Sequence, residues 1–106
     1  MEFRIYQVPL LENIKGFEFR GYETACKVVS DFPNNWEGLY DKVYEAEYTG
    51  GETETNDILE DLFTIFNISK PEGFKGRSLS VSDIVVVDGV PYYCDIFGFE
   101  KIGGSV

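Results

Sequence analysis

The stretch GFKGRSLSVSDIVVVDGVPYYCDIFGF, from Gly73 to Phe99, decides the fold. Ile84, Val85, Val86 and Val87 form a β-branched apolar run. Asp88-Gly89 is a turn dipeptide able to reach positive φ, and Val90 to Phe97 returns with aromatics, which is the pattern of a β-hairpin. Because the run is continuous rather than alternating, its strand is expected to be covered on both faces or central in its sheet. Pro91 cannot donate to a ladder, so the return strand is expected to place it at a non-bonded site, an edge or a bulge.

Immediately upstream, Gly76 to Asp83 alternates small polar and apolar residues behind Arg77. In one reading Ser78, Ser80, Ser82 and Asp83 bond local backbone and steer the chain into the strand. In the other, Arg77 and Ser78 form a recognition corner, since a guanidinium fork with flanking hydroxyls suits a carboxylate or phosphate. Neither arrangement is a catalyst.

GRSLSVSDIVVV followed by a turn and YYCDIFGF resembles the YodL-like domain, a small bacterial module found on plasmids, conjugative elements and phages. FRIYQV at Phe3 to Val8, YDKVYEAEY at Tyr40 to Tyr48 and LEDLFTIFN at Leu59 to Asn67 come in the order such domains show, so the resemblance covers most of the chain. It implies a fold and a mobile-element context, and it brings no catalytic residues with it.

A chain of 106 residues makes one domain, 1–106, with a hydrophobic content of 43% and an aromatic content of 16% that fit a packed core. The formal charge of −10 is the unusual quantity. Such a surface repels nucleic acid and anionic membrane and attracts basic partners. Neither a secretory leader nor a long apolar run is apparent, which points to a cytoplasmic protein. Cys26 and Cys94 stand far apart without zinc spacing, and both are expected as buried thiols.

Histidine is absent. That removes the usual base for a serine or cysteine nucleophile and the commonest metal ligand, leaving only carboxylate chemistry, as an acid/base pair or a magnesium cluster. No calcium-loop spacing and no glycine-rich phosphate loop accompany the carboxylates, so no catalytic residue, cofactor or metal is assigned.

In chain order, Phe3 to Val8 alternates like a strand and is stopped by Pro9; Leu10 to Gly21 reads as a short strand or irregular segment. Tyr22 to Ser30 reads as a short helix with Ala25, Val28 and Val29 on its apolar side, closed by a turn at Asp31 to Asn35. Trp36 is expected in the core. Tyr40 to Tyr48 alternates as a strand with Tyr40, Tyr44 and Tyr48 on one face. After the loop Thr49 to Thr55, Asn56 reads as the cap of an amphipathic helix with Ile58, Leu62, Ile65 and Phe66 on one side and Asp57, Glu60, Asp61 and Thr64 on the other, ending near Pro71. Ile102 to Val106 reads as a loose tail. The fold class is therefore α+β: a small antiparallel or mixed β-sheet with a C-terminal hairpin and one or two helices packed on it, one of them across a face.

Charge is concentrated between Glu37 and Asp61, where nine carboxylates face Lys42 alone, a net −8. A solvated face that keeps the domain soluble is one explanation. The other is a rigid negative surface, built from Glu45, Glu47, Glu52, Glu54, Asp57, Glu60 and Asp61, that occupies a groove made for phosphates. The functional expectation is a non-enzymatic interaction protein of a mobile element, an acidic inhibitor of a host defence protein that binds nucleic acid, of the anti-CRISPR or anti-restriction type. Its partner is a protein with a basic surface, with no direct nucleic-acid binding and no membrane. A cellular regulator gripping another bacterial protein, such as a cytoskeletal component, through tyrosines and the hairpin edge is the alternative, and a carboxylate-based metal enzyme the third.

Overall fold

A computed structural model describes residues 1–8, 21–28, 32, 34, 36–74, 76–96 and 98–102. Five strands form one sheet: β1 (Glu2–Gln7), β2 (Asp41–Glu47), β3 (Ile84–Val87), β4 (Val90–Asp95) and β5 (Gly98–Lys101), in the order β2-β1-β3-β4-β5. Every neighbouring pair is antiparallel. Three helices accompany them, α1 (Tyr22–Val28), α2 (Trp36–Leu39) and α3 (Thr55–Ile68). The small α+β fold expected from the sequence is present, with α2 a single turn added to the helix count.

The hairpin is built as its residues dictate. Asp88 and Gly89 both have positive φ, 52° and 83°, the signature of a type I′ turn whose twist matches that of the flanking strands. Val87 and Val90 close it, which leaves Pro91 opposite Val86 at a non-hydrogen-bonded position relative to β3. The missing donor thus costs that ladder nothing, while the Pro91 carbonyl still accepts the Ile102 N–H at 3.1 Å. The hairpin itself is interior to the sheet, because β1 flanks β3 and β5 flanks β4. The return strand ends at Asp95 rather than Phe97, and the chain turns back as β5, too short at Gly98–Lys101 to announce itself by period.

All four side chains of β3 are buried, alternately into two cores. On one side Ile58, Leu59, Leu62 and Phe66 of α3 pack on Phe3, Ile5, Val85, Val87 and Cys94. On the other, Ala25, Phe32, Trp36 and Tyr40 cover Val8, Ile84, Val86, Tyr93 and Ile102. Both sheet faces are therefore covered, as the continuous apolar run of β3 led us to expect, with α1 and α2 on the face opposite α3. Rings meet edge to face in each layer: Phe66 on Phe3, Tyr44 and Phe74, and Trp36 on Tyr6 with centroids 4.9 Å apart.

Several local expectations change. The tyrosines in and beside β2, Tyr40, Tyr44 and Tyr48, do not share a face. Register against β1 slips between Ile5 and Tyr6, so that Ile5 faces Tyr44 while Tyr6 faces Lys42, and Val43 is the extra residue of a bulge. One inserted residue inverts the parity, sending Tyr40 into the Trp36 layer while Tyr44 and Tyr48 pack toward α3. Helix α3 starts at Thr55, not after Asn56, because the Glu54 carbonyl already accepts the Ile58 N–H; Glu54 makes no side-chain cap, and Asp57 sits in the first turn where the helix dipole favours a carboxylate. Cys94 is buried, but Cys26 follows the buried Ala25 on α1 and is exposed, and both thiols are free. Ile102, expected in a tail, is buried against the second core. The segment 10–20, most of the turn at 31–35 and residues 103–106 lie outside the described residues. Among the described residues no helix is long and apolar enough to cross a membrane.

Phe66 is 1% exposed at the centre of the α3 layer, whereas Ile68, one turn end further, is 78% exposed. Replacing Phe66 by alanine is expected to lower unfolding free energy by about 3–5 kcal/mol, through lost transfer energy and a ring-sized cavity. Ile68→Ala should change it by less than about 0.5 kcal/mol. Urea unfolding of the two variants against the parent protein checks the contrast.

Candidate functional site

The acidic stretch is spread over β2, the loop after it and α3, and one tyrosine ties the loop to the helix. Tyr48, just past β2, donates its hydroxyl to Asp61 Oδ2 at 2.6 Å and accepts the Glu52 N–H at 3.3 Å, which pins the loop after β2 to α3. The bond to Asp61 raises the Tyr48 pKa above its ordinary value. Close approach at this knot explains Gly50, since a Cβ there would come within 2.6 Å of Asp61 Oδ2. Glu52 and Glu54 on this loop and Asp57 and Glu60 in the first turns of α3 are all exposed, with Glu60 on the side of the helix toward β4 and β5. Asp61, which the helical period put among the free carboxylates, is half-buried and engaged.

Glu45 and Glu47 belong to a different surface. They pair with Arg4 and Glu2 on the face of β2 turned away from α3. Lys42 meets Glu45 at 2.6 Å, and the N-terminal ammonium of Met1 meets Glu47 at 3.2 Å. The Lys42 contact lowers the Glu45 pKa and raises that of Lys42. Glu47 keeps an exposed fraction of 71% in its side chain, so the pairing leaves it open to solvent.

Arg77 and Ser78 sit apart from both acidic groups, in a network that the sequence did not reveal. Arg77 Nη2 points inward to Asp83 Oδ1 at 2.9 Å. Asp83 is fully buried, and its other oxygen accepts the Ser80 N–H at 2.8 Å and Gln7 Nε2 at 3.0 Å. Gln7 in turn exchanges bonds with the backbone of Arg77, Nε2 to its carbonyl at 2.9 Å and the Arg77 N–H to Oε1 at 3.1 Å. Ser80 donates its hydroxyl to the Ser78 carbonyl at 2.9 Å. The local-bonding reading of this segment is thus the one its geometry displays, with the guanidinium serving as a strut.

The same segment carries backbone strain. The Ser80 carbonyl accepts the Asp83 N–H, making a turn with Ser82 at φ 86°, and Ser82 and Asp83 together oppose Cys94 through bonds of 2.9 and 2.8 Å. This is a bulge with a serine at the left-handed position glycine usually takes. Tyr40 holds it from the other layer by donating to the Ser82 carbonyl at 2.5 Å, and burial pushes the Tyr40 pKa far up. Gln7 had a faint sequence signal, as the polar residue that continues the inward-facing alternation of Phe3 and Ile5; Asp83, behind a run of serines, had none.

Two concavities open beside α3. One, about 150 Å³, lies between the edge strand and the helix and is lined by Phe3, Tyr44, Ala46, Tyr48, Ile65 and Phe66. The other, about 290 Å³, is bounded by Glu60 and Phe63 of α3 and by Val81, Cys94, Ile96 and Phe99. Among the described residues no three acidic or cysteine side chains converge closely enough to hold a metal ion.

Burial pushes the Asp83 carboxyl from its ordinary 3.8 up to about 7, against the opposing pull of Arg77, the Ser80 amide and Gln7. Between these values the folded chain holds a proton that the unfolded chain has released. The contribution is therefore fully present below about pH 4 and is lost as pH rises through about 7. Melting temperatures of the parent and of Asp83→Asn, measured from pH 4 to 8, should show the parent's advantage shrinking as pH rises. A constant difference across that range would contradict the assignment.

A search of curated proteins and one of solved structures each returned no match. The profile of the YodL-like domain family matches residues 2–104 of the 106-residue chain, spanning every strand and helix among the described residues. The chain belongs to the YodL-like domain family.

Proposed function

We propose that this domain is a non-enzymatic interaction protein of a mobile element, acting in the cytoplasm of its bacterial host as an acidic inhibitor of a defence protein that binds nucleic acid, of the anti-CRISPR or anti-restriction type. The observation that carries the reading is that Glu52, Glu54, Asp57 and Glu60 are all exposed on a loop and helix start whose backbones are tied together by the bond from Tyr48 to Asp61. Carboxylates carried on a tied backbone offer a basic channel the charge it is built to receive, which favours rapid, salt-dependent association. A domain of net charge −10 competes with nucleic acid for such a channel rather than binding nucleic acid itself.

The regulator alternative, in which tyrosines and the hairpin edge grip a cellular protein such as a cytoskeletal component, draws less support. The hairpin is interior to the sheet, and Tyr40 and Tyr93 are buried. The carboxylate-enzyme alternative has no converging acidic trio among the described residues to build on.

The test is capture of the partner from host lysate followed by competition. The captured protein should bind nucleic acid, lose that binding when the domain is added, and recover it when the domain carries Glu52→Lys, Glu54→Lys, Asp57→Lys and Glu60→Lys. Asp61 is left in place because its reversal would break the Tyr48 anchor. The fourfold variant should melt as the parent does, and association of the parent should slow as salt shortens the screening length to about 8 Å and below. Undiminished inhibition by the fourfold variant would reduce the acidic group to a solubilising surface.

A further inference from the structure

We propose that the outer edge of β2 accepts an extended, basic segment of a partner protein as an additional strand, its apolar side chains in the Tyr44–Tyr48 groove and its cationic side chains over Glu45 and Glu47. β2 is the first strand of the sheet, and among the described residues no strand pairs with its outer side. The Tyr48 N–H bonds the Met1 carbonyl at 2.8 Å, which fixes the parity of the ladder. Tyr44 and Ala46 bond inward to β1, so the N–H and C=O groups of Glu45 and Glu47 are directed away from the sheet.

The two sides of that edge differ in chemistry. Toward α3 the edge opens on the 150 Å³ groove, whose floor is Phe3, Ile65 and Phe66 and whose small residue, Ala46, leaves space between Tyr44 and Tyr48. On the opposite side stand Glu45 and Glu47, with exposed side-chain fractions of 41% and 71%; their present contacts, to Lys42 and to the N-terminal ammonium, are surface ion pairs of the weak kind that an incoming cation can share or displace. An added strand alternates its side chains between those two sides, so a segment that alternates apolar and cationic residues satisfies both at once. A second copy of the chain would set carboxylates against carboxylates across the new ladder, which disfavours self-pairing.

Charges and a bulge on an edge strand also serve to prevent unwanted pairing. That role accounts for Glu45, Glu47 and the bulge at Val43, but it does not call for an open apolar groove beside them. The bulge instead bounds the docking length, leaving Tyr44 to Tyr48 as the regular stretch. The inference rests on the basic partner of the preceding section and adds the mode by which it is held.

The probe is a capped synthetic peptide matching the seven residues of β2 in length, alternating valine and lysine, compared with a block isomer of the same composition. Titrated into the full chain, the alternating peptide should bind at least about tenfold more tightly than the block isomer, a difference of about 1.4 kcal/mol. It should also slow amide exchange at Glu45 and Glu47. Glu45→Pro removes an outward donor without touching the ladder to β1, and should abolish the preference while the melting temperature holds. Ala46→Leu, which fills the groove, should weaken binding too. Equal binding of the isomers, protection at other amides, unaltered binding by Glu45→Pro, or no binding of the alternating peptide would each overturn strand addition. These outcomes separate from the inhibitor reading. If the peptide fails but the fourfold lysine variant still loses its captured partner, only strand addition falls; if the peptide binds as expected but the captured partner does not bind nucleic acid, only the inhibitor reading does.

Discussion

The structure depends on a strand with no polar side. Ile84, Val85, Val86 and Val87 are all withdrawn from water, two into each layer, and fully burying such a side chain contributes about 1.5–3 kcal/mol. A sheet open on one face would forfeit half of that gain. The α3 layer and the aromatic layer around Trp36 and Tyr93 are therefore conditions for one another, joined through the alternate side chains of β3. The polar residue leading into the strand inherits the same constraint. Asp83 cannot reach solvent, so Arg77, Gln7 and the Ser80 amide converge on it, and the segment from Arg77 to Asp83 becomes a fixed part of the core.

What could be read from the sequence was local in origin. The hairpin follows from the turn chemistry of Asp88-Gly89 and the apolar run, and α3 from spacing near 3.6 residues, because both signals lie within a dozen neighbouring residues. The bulge at Val43 escaped because it is set by register against β1, a partner more than thirty positions away in the chain. Its consequence was large, since one residue of slip separated tyrosines that perfect alternation would have aligned. The pairing of Gln7 with Asp83 spans 76 residues and could not be inferred from either end. Ile102 looked like a tail because β5, which carries the chain back to bond the Pro91 carbonyl, is too short to show a period of its own.

The acidic surface was legible as composition and only partly as geometry. Charge counts placed Glu52, Glu54, Asp57 and Glu60 on the same exposed region. They could not tell that Tyr48 would draw Asp61 out of that group, or that the pleat of β2 would turn Glu45 and Glu47 to the opposite face. Arg77 shows the same limit. A guanidinium at the head of a serine-rich segment is chemically suited to an external anion, yet here the nearest unmet carboxylate is internal, and Asp83 claims it.

The position of β1 bears on how the chain can be assembled as it is synthesised. β1 precedes the other four strands of this sheet in the chain and lies between β2 and β3, and its central neighbour is more than seventy residues downstream. An emerging chain can pair β1 with β2 and begin α3, but that intermediate leaves one edge of β1 bare and the apolar surfaces of Phe3, Ile5 and Trp36 without their sheet partners. Closure waits for the hairpin to leave the ribosome and insert beside β1, a long-range step of the kind that makes folding slow and transient species adhesive.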